Sequence, residues 1–380
     1  MLPESHKKYT DKYFIRSNMV LIAKGLNPWV KYQFFFRKPG VFKGTEEILA
    51  IIDKYSSLRY NGGIVKAIPE GSEFNSCETI MTLEGPAQDL MELETMILGV
   101  MSSEASGFKN PSKEDLDKIT QKIRDIKGLI GNRPLMYMGA RHYHWSDDEA
   151  ISRAVLDGGA DACSTDIGAE THGLTAIGTV PHALEAIFAY KYGRDNAVIG
   201  AISAFDEVID KSVPRVSLVD FSNQEIEDSI ASANALEGRL HAVRLDTCGE
   251  NVQQGGYEII PIGSVLDACR DLSYVCGTGV TISGTYDLRR ALDEKEFNDV
   301  QILLSSGFGK IDKVKSFVEA EKILGMKLFD SLGVGGVVGS MFATGDIVEV
   351  GDDKDHTIPM AKVGRQYVHN DRLKIILGEK

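Results

Sequence analysis

The stretch VQILLSSGFGKIDKVKSFVEAEKILGMKLFDSLGVGGVVGS, Val300 to Ser340, contains the same arrangement twice. An apolar β-type run, first Val300 to Leu304 and then Lys327 to Leu332, ends in small residues. These are Ser305, Ser306 and Gly307 in the first case and the cluster Leu332 to Ser340 in the second, each standing before a possible helix start. Small residues there leave backbone N–H groups uncovered at a helix N-terminus, where the aligned peptide dipoles favour an anion. Two such loops, late in a chain that alternates strand and helix, match the phosphate grip at the C-terminal end of a (β/α) barrel. A phosphorylated ligand is the first expectation. Glycine clusters also serve as tight turns and close-packing points, so in a chain with 38 Gly they need support from the rest of the sequence.

Upstream of this stretch the same alternation continues. Pro134 to Met138, Asp161 to Ser164, Thr175 to Val180, Val216 to Val219 and Leu240 to Leu245 read as further strands, seven in all with the last two. Helices are expected from Ser146 and from Ser222, each opening on an S-x-x-E capping box with Glu149 or Glu225, and Pro181 marks the start of another. Repeated strand–helix units imply a parallel sheet, and seven imply a barrel more than an open sheet. The texture before Met101 differs. Lys31 to Arg37 is aromatic and β-prone, Gly44 to Tyr55 has helical spacing, Gly62 to Ala67 is extended, and Met91 to Val100 is apolar enough for a buried helix. Lys109 to Lys118, with Pro111, reads as a linker, and Asp346 to Leu377 returns to β-type sequence that rejoins the first domain.

Composition bounds the function. A chain of 380 residues, 43% hydrophobic and 26% charged, buries a sizeable core and points to two domains. No apolar run reaches the roughly 18 residues of a membrane span, and the polar stretch Met1 to Asp11 is unlike a secretory leader. The five cysteines (Cys77, Cys163, Cys248, Cys269, Cys276) are scattered without a CxxC pair, which fits reduced thiols in a cytoplasm and no structural metal. A net charge of −13 argues against nucleic-acid partners. An anionic ligand must therefore be met by local charges.

In a barrel, residues just after each strand line one mouth, so Arg141, His142, Ser164, Thr165, His182, Asp220, Arg244, Asp246, Ser305 and Gly335 converge if the barrel reading holds. Taken singly, Asp220 and Asp246 read equally well as turn or capping residues, and His142, His144 and His182 as surface or first-turn residues. Arg244 is harder to dismiss, because HAVRLD sets it inside an apolar strand where an unpaired guanidinium is costly.

The segments GARHYH (Gly139 to His144), GGADACSTDIGAE (Gly158 to Glu170), GTVPHALEA (Gly178 to Ala186), VSLVD (Val216 to Asp220) and AVRLDT (Ala242 to Thr247) carry a family resemblance. With DKYFIR (Asp11 to Arg16) and LEGPAQDLMELET (Leu83 to Thr95), and in this order, the chain resembles the nicotinate phosphoribosyltransferases, a type II phosphoribosyltransferase family, in their short archaeal-type form. The resemblance implies an N-terminal α/β sandwich over 1–112, completed by 346–380, and an irregular (β/α) barrel over 113–345. It implies transfer of the phosphoribosyl group of PRPP to nicotinate, with release of pyrophosphate, in NAD salvage. Transfer through a cation-like sugar calls for positioning and charge control. By resemblance, Asp220 and Asp246 hold ribose hydroxyls or the Mg²⁺ of PRPP, and Arg244 with Arg141 balances the anions. Ser305, Ser306, Gly307, Gly335 and Gly336 grip the 5′-phosphate, and Ser164 and Thr165 approach the base. His182 matches a histidine that ATP phosphorylates in some members. Tyr13 matches an aromatic that stacks on the pyridine from a neighbouring subunit, implying a homodimer or higher oligomer with shared sites.

There are departures from the family pattern. Gln253-Gln254-Gly255 stands where archaeal-type members carry a basic pair before a glycine, and Tyr274 to Tyr286 reads as an insertion near the mouth. Nicotinamide stays open as the base through Asp166, beside Ser164 and Thr165. Quinolinate calls for a denser basic cluster than these residues supply, a Schiff-base lyase lacks its strand-end lysine, and a non-catalytic ligand-binding relative is the remaining alternative.

Overall fold

The computed structural model describes residues 1–339 and 341–378; Ser340, the end of the second glycine cluster, lies outside them. In chain order the strands are β1 (Trp29–Phe36), β2 (Gly40–Val41), β3 (Ile64–Ala67), β4 (Glu73–Phe74), β5 (Met81–Pro86), β6 (Leu135–Tyr137) and β7 (Ala162–Cys163). They continue with β8 (Arg215–Leu218), β9 (Leu240–Leu245), β10 (Gln301–Leu304), β11 (Ser331–Val334), β12 (Ala343–Gly351), β13 (Thr357–Pro359) and β14 (Lys374–Leu377).

Two six-stranded sheets result. One is antiparallel, in the order β13-β12-β1-β5-β3-β14, so the tail strands pair with the N-terminal ones. Its longest strand reads WVKYQFFF; Tyr32, Phe34 and Phe36 are buried, and the nearby helix Glu94–Ser106 is buried from Glu94 to Ser103. The other is a curled parallel sheet in the order β7-β6-β11-β10-β9-β8, a half barrel whose short strands are near-continuous apolar runs because both faces are covered.

The seventh expected strand, Thr175 to Val180, forms no ladder. It bridges the open edge instead: the Ile177 N–H donates to the Cys163 carbonyl at 3.0 Å and the Thr179 hydroxyl to the Val216 carbonyl at 2.8 Å. Gly178 has φ +144°, and a Cβ there would stand 2.7 Å from the backbone nitrogen of Tyr13. The Arg16 guanidinium takes the carbonyls of Gly178 and Ala176. Three backbone groups of this stretch are thus taken by the Arg16 side chain and by the edge of β7, with no ladder formed.

Other boundaries shift for local reasons. The expected linker Lys109 to Lys118 becomes helix from Lys113, because Ser112 and Asp115 form a reciprocal capping box and Ile119, Ile123, Ile126 and Ile130 share a buried face. The box expected at Ser146 is absent: the helix there is Asp148–Asp157, and the Ser146 N–H goes to the His144 ring. The box expected at Ser222 is absent as well. The helix is Glu225–Leu236, with the Glu225 carboxylate accepting instead from the Thr247 hydroxyl and the Gln254 N–H. Among the described residues no helix is long and apolar enough to cross a membrane.

Gly99 shows how tightly the two halves pack. It lies inside the helix Glu94–Ser106, and a Cβ there would overlap the carbonyl oxygen of Tyr143. Gly99→Ala is expected to destabilise the protein by about 1–3 kcal/mol through overpacking, read as a lower urea midpoint. An unchanged midpoint would show that the Tyr143 loop yields freely.

Candidate active site

Asp220 follows β8, Asp246 follows β9, Ser305 follows β10, and Gly335 follows β11. Parallel pairing puts these strand ends side by side, and a cavity of about 60 Å³ opens there, lined by Tyr13, Glu94, Arg141, His182, Arg244, Asp246, Asp346 and Lys362 among others.

Its centre is a hydrogen-bonded chain of three groups, with Asp220 and Lys362 buried. Asp220 Oδ1 lies 2.9 Å from His182 Nε2, and Oδ2 accepts from Lys362 Nζ, which also donates to the Asp246 carbonyl at 3.0 Å. Burial alone would raise the Asp220 carboxyl; the Lys362 ammonium and His182 hold it well below the usual range. Burial and the Lys362 charge lower His182 despite Asp220, so its ring is neutral near pH 7. Since a carboxylate only accepts, Nε2 carries the hydrogen and Nδ1 keeps the lone pair.

Arg244 stands on β9 with Nη2 3.6 Å from Asp246 Oδ2, too long for a hydrogen bond, and its buried Nε has no partner among the described residues. Its donors are open to a ligand. Asp246 is fixed from the other side by the Ser305 hydroxyl at 2.8 Å.

The first glycine loop keeps its expected geometry. Ser306 and Gly307 adopt φ +66° and +88°, and the helix Ile311–Leu324 follows. Among the described residues the N–H groups of Ser306, Gly307, Phe308 and Gly309 donate to nothing, which makes a concave set of free donors before a helix start. The hydroxyls are committed elsewhere, Ser305 to Asp246 and the Leu245 carbonyl, Ser306 to the Thr247 carbonyl. Buried Lys313, lowered to about 8 by burial, donates to the Ser306 carbonyl at 3.0 Å. The second loop packs against the first, a Cβ on Gly309 falling 2.7 Å from the Gly336 carbonyl oxygen. The N–H groups of Gly335 and Gly336 also donate to nothing among the described residues. No helix follows them, however; the chain runs into β12, so the dipole argument applies to the first loop alone.

Other expected residues are placed differently. The Thr165 hydroxyl donates to Asp148 at 2.6 Å and caps the helix Asp166–Glu170, so it does not face the cavity. Ser164 follows β7, has a buried hydroxyl with no partner among the described residues, and does not line the cavity. Asp166 is bound twice by Lys12, at 2.9 and 2.7 Å. Tyr13, expected to serve a neighbouring subunit's site, lines the cavity of its own chain, with its hydroxyl bonded to Arg141. Arg141 in turn pairs with buried Asp11 at 2.9 Å. Gln253 and Gln254 are internal braces, accepting from the N–H groups of Thr281 and Ile226. Tyr274 to Tyr286 includes the start of the helix Ile282–Glu294 and lies by the first glycine loop, with Lys313 Nζ 5.5 Å from the Tyr274 ring.

Sequence reasoning missed Lys362, Glu94 and Asp346. Lys362 meets Asp220 across 142 residues, and nothing local marks it.

With this geometry in view, the known proteins to which the chain is similar fall into one group. Residues 11–104 match the model of the quinolinate phosphoribosyl transferase N-terminal domain. A putative nicotinate phosphoribosyltransferase from Saccharomyces cerevisiae superposes with a TM-score of 0.64 at 13% identity, over 96% of this chain and 94% of that one. A nicotinate phosphoribosyltransferase from Vibrio cholerae gives 0.64 at 12% identity, over 94% and 89%. The fold is that of the nicotinate phosphoribosyltransferases. Among curated proteins, a nicotinate phosphoribosyltransferase of Mycobacterium tuberculosis is 24% identical over 191 residues, covering 50% of this chain and 39% of that protein. The chain thus spans well under half the length of this curated relative.

Proposed function

We propose that this protein is an enzyme that transfers the phosphoribosyl group of PRPP to the ring nitrogen of nicotinate, giving nicotinate mononucleotide and pyrophosphate in a step of NAD salvage. The observation that carries this reading is the set of free N–H groups in the loop after β10, together with the Arg244 guanidinium at the neighbouring strand end, which makes no hydrogen bond among the described residues. As the bond from the anomeric carbon to pyrophosphate breaks and the carbon–nitrogen bond forms, charge develops on the leaving oxygens. Arg244 faces that charge from a fixed strand, and the loop after β10 holds the 5′-phosphate. Tyr13 offers its ring to the pyridine.

Mg²⁺ fits this site only as a companion of PRPP. Both Asp220 oxygens are engaged, and no group of three or more His, Cys, Asp or Glu among the described residues is arranged to hold a metal. When bound with its substrate, Mg²⁺ would be held by the Asp246 carboxylate and would supply charge neutralisation on the pyrophosphate. Asp220 therefore orients His182 and Lys362 and does not hold the metal.

Nicotinamide rested on Asp166, and the Lys12 pairing removes that carboxylate from service. Quinolinate would need cations for a second carboxylate, and of the cavity's three, Arg141 is already paired with Asp11. The test is the full chain with PRPP, Mg²⁺ and each of nicotinate, nicotinamide and quinolinate, with mononucleotide formation followed with and without ATP. Nicotinate turnover above the other two is expected, and equal or better use of either overturns the reading. His182 in neutral form with Nδ1 free suits acceptance of a phosphoryl group from ATP. His182→Ala is then expected to abolish ATP stimulation and ATPase activity while some basal transfer survives. Retained ATP stimulation would remove the phosphoryl role.

A further inference from the structure

Two carboxyls in the cavity wall are not used by this chemistry. Glu94, first residue of the helix Glu94–Ser106, is 6% exposed, lines the cavity and has no hydrogen bond among the described residues; Arg141 Nη1 approaches it only to 3.8 Å. Asp346, on β12, lines the same wall, and its Oδ2 is buried without a partner among the described residues. Both come from elements of the antiparallel sheet half, and Glu94 stands near Tyr13 and Arg141. Two carboxyls without hydrogen bonds on the wall of a site for anions need an account, since a poorly satisfied buried charge is costly.

We propose that Glu94, with Asp346 on the same cavity wall, acts as the selector of the base's third-position group, so that the protonated carboxyl takes an acid such as nicotinate and the ionised one takes the amide. This rests on the reading of the cavity as a pyridine phosphoribosyltransferase site with the ring against Tyr13. A nicotinate carboxylate only accepts hydrogen bonds, so a carboxylic acid serves it and a carboxylate repels it; a carboxamide offers two N–H donors to an ionised carboxyl. A site built around one hydrogen-bonding pattern strongly rejects the other.

The groups around Glu94 support a proton in the working range. Burial raises it to about 8, with Asp346 and Asp11 adding to the rise and Arg141 opposing it. Asp346 is also raised by burial, against the charges of Arg365, His182, Lys362 and Arg37.

The experiment measures kcat/KM for nicotinate and for nicotinamide, with PRPP and Mg²⁺, from about pH 6.5 to about 9.5, where neither base changes its own protonation. In parallel, calorimetry reads binding of each pyridine to the same protein. The nicotinate-to-nicotinamide ratio is expected to fall at least about tenfold as pH rises through the Glu94 titration. Glu94→Gln should flatten that dependence, and Asp346→Asn should move its midpoint to lower pH by removing a neighbouring negative charge. A flat ratio in the parent, or an unchanged fall in Glu94→Gln, overturns the proposal; if Glu94→Gln fails to fold, an unmoved midpoint in Asp346→Asn does so. If the parent turns over neither base, the functional reading fails, and the binding ratio across pH still decides the selector.

Discussion

Arg244→Ala is expected to lower kcat by at least about a hundredfold, on the order of 3 kcal/mol of transition-state stabilisation, while the protein folds as before. The expectation follows from what the side chain does not do. Its ion-pair partner among the described residues, Asp246, is 3.6 Å away, and its Nε has no partner among them, so little that holds the fold is lost on truncation. What is lost is a fixed cation beside the strand ends, and water cannot replace it with the same orientation. Steady-state kinetics with saturating PRPP and nicotinate, together with a denaturation curve, separate the outcomes. Activity within tenfold of the parent would make Arg244 structural and move the site elsewhere.

The second large effect is on stability. Asp220→Ala removes the partner of a buried ammonium, and an uncompensated buried charge typically costs about 3–5 kcal/mol. Lys362 is 4% exposed and is bound by Asp220 and the Asp246 carbonyl, so it has no route to solvent without moving the tail segment. The pH dependence carries the sign of each partner. Asp220, depressed in the folded protein, contributes stability that is present above its ordinary value near about 4 and is lost as pH falls through its lower folded value. Lys362, raised despite its burial, contributes stability present below its ordinary value near about 10.4 and lost as pH rises through its higher folded value. The pair's contribution is therefore flat from about pH 5 to about pH 10, and Asp220→Ala should lower the plateau and soften the acid limb. A urea midpoint that stays where it was, at neutral pH, would show that Lys362 finds other partners.

Local reading of the chain succeeded where the signal was local. The aromatic strand Trp29–Phe36, the helix Thr45–Tyr55 and the strands on either side of the Ser305–Gly307 turn each carry their period or their turn residues within a dozen positions. Capping boxes were a weaker guide. Ser146 and Ser222 have the right spacing, yet Glu225 is drawn away by Thr247 and Gln254, while Ser112 and Asp115 close a box in what reads as a linker. The strand–helix alternation and the free N–H groups of the glycine loop followed from periodicity and from φ preferences, both properties of short segments, whereas the order of the strands in each sheet did not.

The contents of the cavity follow a different logic. The strand-end aspartates, Arg244 and His182 were visible because each follows or interrupts an apolar run, and parallel strands in register bring their ends together. Which of them are free and which are engaged was not visible. Thr165 is consumed by Asp148, Asp166 by Lys12, and Asp220 by Lys362, the last from the far end of the chain. Tyr13 reaches its own chain's site because Gly178 lets the first helix approach the barrel edge closely. Amino-acid order settles backbone preferences and the apolar pattern, since those energies act over a few residues. Charge pairing and burial depend on distance in space, so the protonation of Glu94, the free donors of Arg244 and the orientation of His182 exist only once the two sheets close on each other.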